Sequence, residues 1–121
     1  MTPNFRAWLD PDMYEEPVIH NGKFYLDWRD FEDGNTYDLA VLMQSTGLKD
    51  KNGVEIFDGD IVKLRYTISS DFKLFKVNQF RGGSWRIDNR RRGSDLWLRN
   101  EDCEVIGNIH ENPELLESVN E

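Results

Sequence analysis

The chain has 121 residues and a net charge of -8; it is 38% hydrophobic, with 4 Trp, 7 Phe and 4 Tyr. That is enough for one modest core and argues against disorder, although 31% of the residues are charged. No basic start followed by an apolar run opens the sequence, and no run nears the ~18 apolar residues of a membrane span, so neither a signal peptide nor a span is expected.

The charge is unevenly spread. Residues 1–60 carry 5 basic and 13 acidic side chains, residues 61–104 carry 10 and 6, and residues 105–121 carry none and 4. A chain so acidic overall is a poor non-specific ligand for nucleic acid or an anionic membrane, because such binding needs a positive field. The middle third is the one place for a basic face. Cys103 is the single cysteine, which excludes a disulfide framework and a multi-cysteine zinc site within one chain. These features lead to the expectation of a soluble cytoplasmic protein with no membrane contact.

In chain order, an aromatic run at residues 5–8 breaks at Asp10, Pro11 and Asp12, which read as a turn. Asn21 and Gly22, flanked by Val18, Ile19, Phe24 and Tyr25, signal a hairpin. Asp33, Gly34 and Asn35 make another turn. The run YDLAVLM at 37–43 fits a buried strand or about two turns of helix. Asn52 and Gly53 suit a hairpin turn with positive φ, and Asp58, Gly59 and Asp60 a reversal that launches a strand. From 61 to 68, Val62, Leu64, Tyr66 and Ile68 alternate with Lys63, Arg65 and Thr67, giving one core face and one wet face. Residues 72–80 are strand-like but out of phase, and a bulge would restore the phase. After Gly82 and Gly83, Trp85 and Ile87 alternate with Arg86 and Asp88. Residues 90–95 read as an exposed loop, 96–98 and 103–109 as strands. Asn112 and Pro113 open a short capped helical turn. Short strands with turn residues between them predict an antiparallel barrel or a pair of small sheets.

Chemical sites are hard to find. Placing Gly53 at the sixth position of a calcium loop puts Leu48 first and Gly59 twelfth, where the ion needs Asp and Glu. The glycines precede a strand, and no GxxxxGK[ST] occurs, which removes a phosphate cradle. Asp58 and Asp60 fit turn caps better than an acid/base pair. His20 and His110 lack ligand-spaced partners, and Cys103 lies in an alternating segment that suits a buried apolar residue. No catalytic residue, metal or cofactor is expected. What remains is binding: Lys63, Arg65, Arg81, Arg86, Arg90, Arg91 and Arg92, with Trp85 and Trp97, form a candidate surface. Arginine and tryptophan anchor protein interfaces, and basic residues with aromatics also hold nucleic acid.

Three blocks, FRAWLDPDMY, LMQSTGLKDKNGVEIFDGDIVKL and EVIGNIHENPELL, resemble the YopX family of small proteins encoded mainly by bacteriophages and prophages. They cover about 45 of the 121 residues. Gln44, Thr46, Gly47, Leu48, Asp50, Gly53, Gly59 and Asp60 match the central block. The resemblance implies a mainly β fold, a small SH3-like antiparallel barrel preceded by a variable N-terminal portion, to which the residues themselves add the short C-terminal helical turn at Asn112 and Pro113. The corresponding parts are residues 1–53, 54–111 and 112–121 of a single domain. It carries over no catalytic, ligand or metal residue. The expected function is that of a non-enzymatic phage accessory protein in the bacterial host cytoplasm. It would bind protein, either a second copy of itself or another phage or host protein. A nucleic-acid module using the basic middle third is the second reading, a small enzyme the third.

Overall fold

The computed structural model describes residues 5–10, 12–15, 17–20, 23–25, 41–65, 71–80 and 83–119. The chain forms two units, Met1–Gln44 and Ser45–Glu121. The described part is mainly β, with a short C-terminal helix.

In the first unit, β1 (Phe5–Leu9) pairs antiparallel with β2 (Asp12–Tyr14), Leu9 facing Asp12. On its other side β1 pairs with the first residues of β5 (Val41–Lys49), from Phe5 with Gln44 to Trp8 with Val41. The run at 41–43 is therefore strand. Residues 33–40, including the turn expected at Asp33, Gly34 and Asn35, lie outside the described residues. β3 (Val18–His20) and β4 (Lys23–Tyr25) pair with His20 opposite Lys23. That is the hairpin expected around Asn21 and Gly22, a pair that itself lies outside the described residues. Ala7 and Met43 are buried.

The second unit begins inside β5. Ser45 pairs with Phe57 and Lys49 with Glu55 of β6 (Glu55–Phe57), so five residues of β5 oppose three of β6. Gly47, at φ +78°, takes up the excess. Side chains replace the missing ladder bonds there. Thr46 Oγ1 donates to the Ile56 carbonyl at 2.8 Å, and the Gly47 and Leu48 N–H groups donate to Ser45 Oγ and Thr46 Oγ1. Ser45 Oγ also donates to the Glu55 carboxylate. Thr46 and Gly47, matched only to the family block in the sequence, are thus residues of a bulge within a strand.

β7 (Asp60–Arg65), β8 (Phe72–Gln79), β9 (Trp85–Asp88), β10 (Gly93–Asp95) and β11 (Glu104–Asn108) form an antiparallel sheet in the order β10-β9-β8-β7-β11. Val62 and Leu64 of β7, Phe75 and Val77 of β8 and Ile87 of β9 share one face. They pack with Ile56, Leu96 and Cys103 into a buried cluster, with Leu48, Trp85 and Val105 against it. The alternation read from 61 onward holds through Arg65; Tyr66, Thr67 and Ile68 lie outside the described residues.

Four local expectations differ from the structure. β8 keeps an unbroken register with both neighbours and has no bulge. Its mixed phase arises because the face opposite the core is also covered: the short helix α1 (Leu115–Val119) packs on β8. The irregularity lies in β11 instead, between Val105 and Gly107. Residues 93–95, read as loop, return along β9 as β10, with Gly93 facing Asp88. Residues 96–98, read as strand, form a 3-10 turn in which Leu96 is buried while Trp97 and Leu98 are exposed. Finally, α1 starts three residues after Asn112. The Asn112 side-chain oxygen accepts from Asn108 N–H, and its backbone carbonyl accepts from Leu115 N–H.

Two turn residues hold the second unit together. Asp50 Oδ1 accepts from the N–H groups of Asn52 and Val54, and its Oδ2 accepts from Val105 N–H at 2.9 Å, 55 residues away. Gly59 sits at φ +85°. Its N–H donates to the Val77 carbonyl, and its own carbonyl accepts from Ile109 N–H. Gly59 thus lies in the reversal expected before β7, at a positive φ.

Candidate interaction surface

Strand alternation puts the strand-borne members of the predicted basic set on one face of the sheet and separates them from Trp85. Register places Lys63 and Arg65 of β7, Phe72, Lys76 and Asn78 of β8, and Arg86 and Asp88 of β9 on the face away from the core. Asp95 of β10 and Glu104 of β11 lie on that same face. Trp85 falls on the other face, half-buried against the core. It is therefore separated from the arginine beside it in sequence. Trp97 stands on the 3-10 turn, and Arg81 lies outside the described residues.

The cations on the outer face find aromatic partners that the sequence did not single out. Lys63 Nζ lies 4.8 Å and Arg65 Cζ 4.5 Å from the centre of the half-exposed Phe72 ring. The pairing follows from register, since Arg65 is opposite Phe72. Arg86 Cζ is 5.8 Å from the Phe80 ring centre. Each such contact contributes about 0.5–1 kcal/mol at an exposed position. Arg86 also reaches two carboxylates, Asp88 at 3.3 Å and Asp95 at 3.5 Å. Asp88 accepts in addition from Asn78 Nδ2 at 3.1 Å. A Cβ at Gly93 would collide with Asp88, so the close approach of β10 to this group depends on glycine.

Arg90, Arg91 and Arg92 are exposed on the turn between β9 and β10. Asn89 shapes that turn. Its Oδ1 accepts from the N–H groups of Arg91 and Arg92, and its Nδ2 donates to the Leu74 carbonyl. Arg90 N–H donates to the Val119 carbonyl, which ties the turn to α1. Between them lies a shallow cleft of about 450 Å³ lined by Lys76, Asn78, Asp88, Asn89, Arg90 and Val119. The structure thus puts Lys63 with Arg65, and Arg90 with Arg91 and Arg92, but leaves Arg86 held among acids.

The residues with conceivable chemistry have structural surroundings. Burial, reinforced by the negative charge of Asp50, pushes the Cys103 thiol up to about 12. A thiol so protonated is a poor nucleophile. Its Sγ faces the Asn100 carbonyl at 3.3 Å. Asp60 is fully buried and accepts from Phe57 N–H at 2.8 Å, the turn-cap role read from its spacing. Burial raises the Asp58 carboxyl, only partly countered by the positive field of Lys76, a bond from Gly59 N–H and the charge of His110. Among the described residues no group of three His, Cys, Asp or Glu side chains is placed to hold a metal ion. None of their helices is long and apolar enough to cross a membrane.

Taken together, these features define a small mainly β protein whose polar sheet face mixes cations, carboxylates and exposed rings. The family model described as YopX protein matches residues 4–117, and the chain belongs to that family, as the sequence blocks indicated. Among solved structures it is similar to protein EF1440 from Enterococcus faecalis. The two share 30% identity over 96% of this chain and 99% of that one, with a TM-score of 0.65. It is also similar in fold to yopX from Bacillus subtilis, at 23% identity, 95% and 98% coverage and a TM-score of 0.64. No curated protein matches the sequence.

Proposed function

We propose that this chain is a non-enzymatic accessory protein of bacteriophage or prophage origin that acts in the host cytoplasm by binding protein, first of all a second copy of itself. On this reading β6 to β11 close with the second half of β5 as an SH3-like barrel, and the barrel surface is the binding element. The observation that carries the reading is the pairing of Arg86 with Asp88 and Asp95. A phosphate-tracking surface would keep its central arginine clear of acids, whereas mixed charge with exposed rings is typical of protein contacts. Family membership supports the phage origin, through the resemblance set out above.

One observation favours nucleic acid instead. Lys63 and Arg65 gather at the half-exposed Phe72, an arrangement able to stack a base and hold its phosphate. A fluorescence anisotropy titration with a short single strand and a duplex at ~0.15 M salt separates the readings. Protein binding predicts no saturation at micromolar protein. Micromolar or tighter binding would reverse the ranking, and its loss when Lys63, Arg65 and Phe72 are all changed to alanine, or when Arg90, Arg91 and Arg92 are, would say which group carries it.

A further inference from the structure

The geometry points to the cleft between β8, β9, the 89–92 turn and α1 as a binding site for one dianionic phosphate group, free or carried on a small hydroxylated body. This site does not depend on self-association. Lys76 and Arg90 both line the cleft, with Asn78, Asp88, Asn89 and Val119. Neither cation has an ion-pair partner among the described residues. Lys76 is partly buried and feels the charge of Asp58 without pairing with it. Withdrawing an ammonium group from water without a partner is unfavourable, and an anion seated in the cleft offsets that cost. Asp88, the single carboxylate in the lining, is already engaged by Arg86 at 3.3 Å and Asn78 Nδ2 at 3.1 Å. The lining therefore sets two cations against one carboxylate that has its own arginine. The pairing of Arg86 with acids, which argues against a track of phosphates along the face, here isolates a single site.

The walls are fixed by bonds of their own. Asn78 Nδ2 also donates to the Lys76 carbonyl at 3.3 Å, and Asn89 holds the backbone of Arg91 and Arg92 while reaching the Leu74 carbonyl. Arg90 N–H donates to the Val119 carbonyl at 3.2 Å. The turn is thus tied to β8 and to α1, while the exposed Arg90 guanidinium can close on an anion with little else to order. Two cations match a phosphate monoester, which is close to doubly charged at neutral pH and has three acceptor oxygens; a carboxylate would satisfy one of them. The guanidinium takes two oxygens in its planar fork, and the ammonium acts as a point charge. At about 450 Å³ the cleft has the size of a small-molecule site and room beyond the phosphate. Asp88 and the side-chain oxygen of Asn78, whose amide hydrogens are both spent, are acceptors for hydroxyl groups. The lining has no histidine or cysteine, which suits holding the group and not hydrolysing it.

Isothermal titration calorimetry on the full chain at ~0.15 M salt tests this with ribose 5-phosphate, inorganic phosphate, and gluconate as a carboxylate of similar size. We expect saturable binding of ribose 5-phosphate with a Kd of about 1 mM or tighter, and binding of gluconate at least about tenfold weaker. Lys76→Met and Arg90→Ala should each weaken the ester at least about tenfold. Lys73→Met removes an exposed charge of the same strand outside the cleft and should change binding by less than about twofold. Circular dichroism verifies the fold of each variant, and the exposed Arg90 reads the site even if Lys76→Met does not fold. Inorganic phosphate binding as tightly as the ester assigns the free ion; weaker binding assigns the ester, with its hydroxyls at Asp88 and Asn78. Absence of saturation by either phosphate overturns the site. Equal losses in Lys73→Met and Lys76→Met overturn it too, since they leave only a general positive field. Gluconate binding as tightly as the ester overturns the choice of phosphate. Displacement of the ester by a single-stranded oligonucleotide without terminal phosphates would make the cleft part of a nucleic-acid surface instead.

Discussion

Two turns flank β6, and each joins aspartate to a glycine at positive φ: 50–53 before the strand and 58–60 after it. In the first, desolvation is the largest single influence on the nearly buried Asp50. Three backbone N–H groups, helped by the charge of Lys51, together outweigh it and hold the carboxyl below the ordinary value of 3.8. In the second, Asp60 is satisfied by Phe57 N–H, whereas desolvation dominates at Asp58 and its carboxyl is raised. The lesson is that a turn aspartate is a stabiliser only when backbone donors reach it. Those donors are not all local. Asp50 owes one of its three to β11.

The largest test of this contrast is Asp50→Ala. Three backbone donors lose their acceptor, and water can reach only some of them. We expect a loss of about 3 kcal/mol or more in a urea melt, against about 0.5 kcal/mol for an ordinary surface change. Asp50→Asn should be milder at neutral pH. A depressed carboxyl contributes stability above its unfolded value and loses it as pH falls through the folded one. The difference in stability between the parent and Asp50→Asn should therefore shrink below about pH 4.

Next in size is Gly59→Val. The glycine is buried at φ +85° with its N–H and its carbonyl in use on opposite sides of β7, so neither rotation nor local unpairing relieves a β-branched side chain. A cost of about 2 kcal/mol is expected. A change within about 0.5 kcal/mol would show that the second turn is less constrained than the first. Gly107→Ala should cost about 1 kcal/mol, because its Cβ would come within 2.8 Å of Asn112 Cγ, a side chain tied to Asn108 N–H. In an Asn112→Ala background, where only the Asn112 Cβ at 3.2 Å remains, that penalty should shrink, which a double-mutant cycle reads directly.

Legibility in the sequence followed the number of wet faces. β7 and β9 were readable because one face is solvated and lysine, arginine or aspartate marks it. β8 was not, since α1 covers its second face and Leu74 sits there opposite Lys63. β10 is Gly-Ser-Asp, without an apolar residue to give a period, and it exists only through its pairing with β9. The family blocks were recognisable, but the physical work of Ser45, Thr46 and Gly47 in a bulge depends on the partner strand β6. The same holds for the surface. The basic residues could be counted, whereas their division between Phe72, two carboxylates and a turn required register.

Asp58→Asn is the smallest predicted effect and the sharpest probe of the contrast, because its sign is opposite to that of Asp50→Asn. A carboxyl raised in the folded state contributes its full stability below the unfolded value and loses it as pH rises through the folded one. At neutral pH the ionised Asp58 is therefore a net burden, eased but not removed by the positive field of Lys76. Asparagine keeps an oxygen for the Gly59 N–H and carries no charge to desolvate. We expect Asp58→Asn to stabilise by up to about 0.5 kcal/mol at pH 7 and to be neutral near pH 3. Thermal melts of both asparagine variants from pH 3 to pH 7 should diverge from the parent in opposite directions as pH rises. If Asp58→Asn instead destabilises at pH 7, the field of Lys76 outweighs desolvation and the two turns are alike.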